Sequence, residues 1–384
     1  MWLVGLVVAA LLVSTVLAWG PEIADRVANR VAQPPPYVVE PAAQGLFDSL
    51  FVVDLHGDAL LWDRDLSERN DRGAIDLPRL QEGNIAIQCF FIVSRSPYGL
   101  SIDYTFEKSD VITLLGIAQG WPMKTWTSPF ERAVLQAQRL QDLAATSGDS
   151  LIVIETKQEL KAYRDARPNG GPQVAGILGV EGAHALEGDL ANLDALFELG
   201  VRIIAPTHLF DNDVGGSAHG VRKGGLTEFG RQMIQAMETR GILLDLAHAS
   251  VQTFEDALAV STKPVIVSHT GVLGTCDNSR NLSDEQLRAV AATGGVIGIG
   301  FWDLAVCGDQ PDDIARAIRH AADVVGVDHV ALGSDFDGGV PVPFDATGLA
   351  LVVEALRDRG FSDDEIAQIM GQNAVRVLQE TLPD

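Results

Sequence analysis

Eight short, mostly apolar runs recur along the chain, at residues 51–55, 85–92, 175–180, 202–205, 242–246, 265–267, 296–301 and 330–332. Each is about as long as one buried strand, and their apolar residues are continuous rather than alternating. Strands covered on both faces by helices read this way. Helix-like stretches lie between them, at 133–145, 189–199, 227–240, 251–261, 283–293, 311–325 and 345–359. Several follow a Ser, Thr or Asp suited to cap a helix. Repeated strand-then-helix units over residues 46–384 predict an α/β fold, a (β/α)8 TIM-type barrel with insertions. A doubly wound open sheet competes, but no glycine-rich phosphate fingerprint follows any strand. Residues 151–154 form an extra strand candidate without a barrel slot. The aromatic-rich segment 96–127 is expected to lie over the barrel mouth as an insertion after the second strand.

Chemistry in such folds gathers at the C-terminal ends of the strands. The first run ends Asp54-Leu55-His56-Gly57-Asp58, and residues two apart share a face, so His56 and Asp58 can point together. The third presents Glu181, the fourth His208, the fifth His248 and the sixth His269. The eighth presents Asp335 and, two further on, Asp337. A single strand-end His is more often structural, and a single Asp more often a cap. Six of the eight runs ending in His or carboxylate point instead to a metal site. Imidazole and carboxylate donors suit zinc foremost. Their number exceeds one tetrahedral ion, which a two-metal site with a bridging carboxylate explains.

Composition excludes other classes. In 384 residues, 28 Lys and Arg stand against 52 Asp and Glu, a formal charge of −24. That disfavours nucleic acid and anionic membrane surfaces as partners. Residues 1–21 carry no charged side chain, and 2–19 are almost wholly apolar, near the length that spans a bilayer. Residues 1–20 therefore read as a signal anchor or a cleaved signal peptide, with Val16-Leu17-Ala18 offering a small-residue cleavage site. The anchor reading is slightly preferred. Either places the protein in the cell envelope, membrane-anchored and facing outward, or secreted or periplasmic after cleavage. Residues 21–45 read as a short helix and a structureless Pro-rich linker, and 46–384 as the barrel domain. Three cysteines, Cys89, Cys276 and Cys307, are too few for a cysteine-based zinc site, though one disulfide fits an exported domain.

The motifs DLHGDALL, GVEGAHAL, PTH, GLTEFGRQM with GILLDLAHAS, PVIVSHT with CDNSRN, and GSDFDGG resemble those of the membrane dipeptidase family, zinc peptidases of the amidohydrolase barrel superfamily. The likeness runs from about Val52 to Gly339, with a C-terminal continuation in EIAQIMGQNAVRVL. It implies a binuclear zinc dipeptidase, two zinc ions per chain, working through a hydroxide held between them, and a homodimer. Motif by motif it implies His56 and Asp58 on one zinc, His248 and His269 on the other, and Glu181 bridging. Asp335 would be the acid/base, and His208 would hold the carbonyl or oxyanion. Arg280 would take the C-terminal carboxylate of the dipeptide, a pairing guanidinium makes bidentately. The resemblance also implies a disulfide between Cys276 and Cys307.

The chain departs from the family after His208. Mammalian-type members carry a Trp-containing segment there, where this chain has Gly215, Gly216 and His219, which puts specificity, including a D-residue at the C-terminal position, in question. His219 reads as a solvent-exposed loop residue, His184 as a residue supporting the ligands, and His320 and His329 as structural. Asp54 and Asp337 share faces with site residues and read as supporting or capping groups, and Cys89 as a buried thiol. Two rivals remain: another hydrolase of the superfamily, acting on a lactone, a phosphoester or an N-acyl amino acid, and a membrane-anchored binding protein without activity. Arg280 disfavours the phosphotriester branch, and retention of every proposed ligand disfavours the second rival.

Overall fold

The computed structural model describes residues 19–99, 101–105, 109–167 and 171–384. Of the apolar run at 2–19 only Trp19 is among them, so the expected anchor or signal lies outside the described residues. Among those described, no helix is long and apolar enough to cross a membrane.

Among the described residues nine strands form one parallel sheet: β1 (Val52–Gly57), β2 (Ile85–Val93), β3 (Leu151–Val153), β4 (Val174–Glu181), β5 (Val201–Ile204), β6 (Leu243–Leu244), β7 (Ile266–Thr270), β8 (Val296–Ile299) and β9 (Val330–Leu332). Eight follow the order β6-β5-β4-β2-β1-β9-β8-β7, and β3 pairs with β4 off this path. Each of the eight apolar runs became a strand of the path, and residues 151–154 became the strand without a slot. Every strand except β3 is buried along its whole length, as continuous Val, Ile and Leu require.

β6 has only two residues, and the reason lies in its hydrogen bonds. Asp245 still donates its N–H to Ile204 O on β5 (3.1 Å), but the next residue, Leu246, donates to Ile266 O on β7 (2.8 Å). The chain therefore passes its ladder from one neighbour to the other, and Asp245 and Ile266 form a parallel bridge. That bridge brings the two ends of the path together. The curled parallel sheet is consistent with a TIM-type barrel. β2 and β4 pair without a break from Ile87↔Ala175 to Val93↔Glu181, which sets Glu181 at the very lip of the sheet.

The turns after the site strands are fixed by caps. Ser250 accepts from Thr253 N and opens the helix Val251–Val260 two residues after His248. Ser283 and Gln286 form a capping box for the helix Asp284–Ala292, three residues after Arg280. Thr227 caps the helix Glu228–Arg240. The segment at 345–359 is shorter than its periodicity predicts, a turn at Ala346–Gly348 followed by a helix at Ala350–Asp358.

The stretch before the domain differs from a structureless linker. After a helical stretch at 19–28, Ala32 N donates to Val342 O (2.9 Å) and Val342 N donates to Arg30 O (3.0 Å). Asp25 is buried and pairs with Arg64 (3.3 Å) and Arg72 (2.9 Å), while Asn29 Oδ1 accepts from Gly339 N (2.9 Å). The prolines at 34–36 lack donors, but the residues just before them have theirs and spend them on the loop that follows β9.

Cys276 and Cys307 are bonded, with Cα atoms 5.2 Å apart, and Cys89 is a free buried thiol in β2. The bridge ties the loop before Arg280 to the helix Asp303–Val306. Replacing both bridge cysteines with serine is expected to lower the unfolding free energy by about 3–4 kcal/mol, from the loop-closure entropy of a 31-residue separation. Urea unfolding without reductant measures it, and an unchanged midpoint would show that the link does not constrain the unfolded chain.

Candidate metal centre

The strand ends converge on Glu181. Its Oε1 lies 2.9 Å from His248 Nε2, 3.4 Å from His269 Nε2 and 3.6 Å from His56 Nε2, and its Oε2 lies 3.1 Å from His208 Nε2. His248 Nε2 and His269 Nε2 are 2.9 Å apart, and the His56 and His269 rings stack with centroids 3.8 Å apart. On the other side of His56, Nε2 is 3.5 Å from Asp58 Oδ1. Three sets of donor atoms each lie within 4.8 Å of one another: His56, Glu181 and His269; Glu181, His208 and His248; and His56, Asp58 and Asp335. All seven side chains are buried. The structure thus brings together every metal ligand expected from the sequence, with His208 and Asp335 beside them.

Burial governs the charge states here. Desolvation pushes the imidazoles of His56, His208, His248 and His269 below the ordinary histidine range, so each is neutral. The same desolvation pushes Asp58 and Glu181 well above the usual carboxylate range, Asp337 adding to the first and Asp58 to the second. Asp335 is raised to about 8 by burial, against the pull of His56.

Tautomers follow from the outer contacts. Ser268, on β7, gives its hydroxyl proton to Asp245 Oδ2 (2.6 Å). Its lone pairs then face His56 Nδ1 (3.1 Å) and His269 Nδ1 (3.0 Å), which must be the protonated nitrogens. Both rings therefore turn an Nε2 lone pair toward Glu181. Clustered Nε2 lone pairs and carboxylate oxygens repel unless a proton or a cation sits among them. His56 Nε2 and Asp58 Oδ1, both buried, find no hydrogen-bond partner among the described residues. Neutral imidazoles, carboxylates and orphaned donor atoms are what a divalent metal ion requires.

Backbone strain marks the same places. His248, Asp335 and Asp337 have φ of 61°, 61° and 62°, a left-handed conformation that non-glycine residues adopt at a cost of about 1 kcal/mol or more each. Gly338 is forced as well, since a Cβ there would stand 1.9 Å from Asp335 Oδ1.

The neighbours sort the remaining expectations. Asp54 accepts from Ser334 N (2.8 Å), Ser334 Oγ (2.6 Å) and Gln88 Nε2 (3.0 Å), clamping β1 to the residue before Asp335. Asp337 pairs with Arg64 (2.6 Å) and accepts from Ala74 N (2.7 Å), so it anchors a loop rather than facing the cluster. Arg280 donates to His269 O (2.8 Å) and Thr270 Oγ1 (3.3 Å), lies 5.8 Å from the Trp302 ring centroid and lines the pocket. His184 sits against Gly182, and neither of its ring nitrogens has a hydrogen-bond partner among the described residues; burial pushes its pKa down to about 3. His320 pairs with Asp284 (2.8 Å) and His329 with Gly295 O (2.8 Å), both structural.

His219 corrects the expectation of an exposed loop residue. It is buried in the pocket wall, its pKa pushed down to about 4 by burial, with Nε2 3.0 Å from His248 Nδ1. The glycines around it let the loop fold inward: a Cβ on Gly216 would meet Gly224 backbone at 2.2 Å. Asp245, Ser268 and Trp302 also belong to the site although nothing in the sequence singled them out as candidates. The spacing Asp245-Leu-Ala-His248, close to Asp54-Leu-His56, was the signal that could have found the first.

The pocket encloses about 110 Å³, and Ser101 and Ile102 of the insertion form part of its wall with Leu209, Trp302 and Leu304. That is below the range of drug-sized sites and suits a small ligand.

A dipeptidase of Clonostachys rogersoniana, verJ, is 33% identical over 254 residues, which are 63% of this chain and 63% of that protein, so the match spans under two thirds of its length. An uncharacterised dipeptidase of Schizosaccharomyces pombe is 30% identical over 325 residues, 80% of this chain and 72% of that one. The crystal structure of a metallopeptidase from Rhodobacter sphaeroides, liganded with a phosphinate mimic of the dipeptide L-Ala-D-Ala, superposes with a TM-score of 0.69 at 25% identity, covering 87% of this chain and 99% of that one. The family model for membrane dipeptidases, peptidase family M19, matches residues 41–382. With a match over nearly its whole length, the chain belongs to the membrane dipeptidase family, peptidase family M19.

Proposed function

We propose that this chain cleaves dipeptides using two zinc ions, one held by His56 and Asp58, the other by His248 and His269, with Glu181 between them. The observation that carries the reading is the convergence of four neutral imidazoles on Glu181, with Asp58 and Asp335 alongside and Arg280 lining the same pocket. Bound there, zinc would polarise the scissile carbonyl and acidify a water molecule at neutral pH.

The chain's own residues supply the rest. Asp335, raised to about 8, can exist in either protonation state near neutral pH, which suits a group that takes a proton from water and returns it to the leaving amine. His208 is a neutral imidazole in the pocket wall, and its single N–H can stabilise the oxyanion. Arg280, fixed by His269 O and Thr270 Oγ1 and packed near Trp302, can pair its planar fork with the substrate carboxylate. The peptide-mimic ligand of the Rhodobacter protein supports a dipeptide here, and a D-residue in the second position. Arg280 speaks against lactones, which carry no carboxylate. A homodimer and an envelope location, anchored through residues 1–20, belong to the same proposal; the apolar run at 2–19 supports the second.

Asp335→Asn should cut kcat by about 10²–10⁴-fold while zinc content stays unchanged. Loss of metal from that variant would reassign Asp335 to the ligand set. For Arg280→Met, kcat/KM for a dipeptide should fall roughly 10–100-fold, as expected for a charge-assisted hydrogen bond. A C-terminally amidated dipeptide should already be poor for the wild type and lose little more in the variant. Equal losses on both substrates would remove Arg280 from carboxylate recognition.

Metal uptake should depend on pH in a defined direction. Ligation needs ionised carboxylates, and burial holds Asp58 and Glu181 protonated at higher pH than usual, whereas the imidazoles are already neutral. Zinc binding should therefore release protons, and apparent affinity should rise with pH. Calorimetry in buffers of different ionisation enthalpy measures this, and zero release across the pH range of binding would contradict raised carboxylates in the metal-free site.

A further inference from the structure

Three of the four imidazoles around Glu181 have an outer nitrogen held by a defined partner, and the partners differ. Ser268 holds both His56 and His269. His248 is held by another histidine, His219, from the glycine-rich loop after His208. The far side of His219 reaches a different part of the molecule. Its Nδ1 lies 2.9 Å from Ile102 O, in the insertion that walls the pocket, and its main-chain O accepts from Thr105 N (2.8 Å) in the same insertion.

These contacts allow one arrangement of protons. A carbonyl only accepts, so His219 Nδ1 must carry the hydrogen and donate to Ile102 O. The Nε2 of a neutral His219 is then a lone pair, and His248 Nδ1–H donates to it. That leaves His248 Nε2 as a lone pair directed at Glu181 Oε1 and His269 Nε2, each 2.9 Å away. Two further bonds fix the loop itself: Ala218 N donates to His248 O (2.8 Å), and His219 N donates to Ser217 Oγ (3.1 Å).

We propose that His219 is a positioning residue for the metal ligand His248 and links the insertion at 101–105 to metal binding through the chain Ile102 O, His219, His248. This rests on the reading of His248 as a zinc ligand. Outer partners of ligating histidines fix the tautomer and ring orientation, and their loss weakens metal binding by 10–100-fold. Because the insertion contributes one end of the chain, coupling runs both ways: occupancy of the His248 site steadies the insertion, and the insertion strengthens the site.

The test compares zinc binding by the wild type, His219→Leu, His219→Gln and His248→Ala in the full chain, using a chromophoric chelator in competition. Hydrogen exchange at the Thr105 amide is followed with and without zinc. The expected result for His219→Leu is affinity for one of two zinc ions lowered about 10–100-fold and loss of the zinc-induced protection at Thr105. A glutamine amide can accept from His248 and donate to Ile102 O, so His219→Gln should recover most of the affinity, which general loosening of the loop would not allow. His248→Ala should lose one ion altogether. If His248→Ala loses an ion but His219→Leu binds both as tightly as the wild type, the positioning role is overturned and the two-zinc reading stands. If His248→Ala keeps both ions, the ligand assignment falls and this proposal with it.

Discussion

Everything in this molecule turns on one carboxylate buried among four imidazoles. Glu181 has His56, His208, His248 and His269 within 3.6 Å, and none of the five is open to water in any large degree. Desolvation favours the neutral form of each group taken alone, raising the carboxylates and lowering the imidazoles. The Nε2 lone pairs of His56, His248 and His269 turn inward and cannot satisfy one another, so the arrangement is costly without a proton or a cation among them. A fold that accepted such a cost in its core would be selected for binding one. The strained backbone at His248 and Asp335 is the same cost seen in the main chain.

The sheet delivers these groups by a repeated device. Asp54 on β1 receives both the N–H and the hydroxyl of Ser334, and Asp245 beyond β6 receives both from Ser268. In each case the serine precedes a site residue, Asp335 or His269. A buried aspartate thereby locks a neighbouring strand end and, one residue on, the direction of the group that does the chemistry. The helix caps at Ser250 and Ser283 do the same for the turns that follow, one leading away from His248 and the other from Arg280.

Much of this was legible in the sequence because the barrel signal and the site signal coincide. Continuous Val, Ile and Leu marked the strands, and six of the eight runs were followed within three residues by a His or carboxylate candidate. Local signals give positions along one chain and not the partners across it. Asp245 and Ser268 looked like ordinary strand-end polar residues because their meaning lies in bonds to each other and to His56, far off in sequence. His219 sits in a glycine-rich loop, and such loops read as exposed. Here the glycines serve close approach, packing loop backbone against loop backbone and driving the histidine inward. The stretch at 30–33 read as linker because prolines follow it, yet its own donors pair with 342–343 and help seat the loop carrying Asp335 and Asp337.

The central claim is that the strand ends hold two zinc ions bridged by Glu181. Anomalous diffraction from crystals of the zinc-loaded protein, collected on both sides of the zinc absorption edge, tests it most directly. Two peaks are expected, one against His56 and Asp58 and one against His248 and His269, with Glu181 between them. A single peak, or two that share no contact with Glu181, would contradict it.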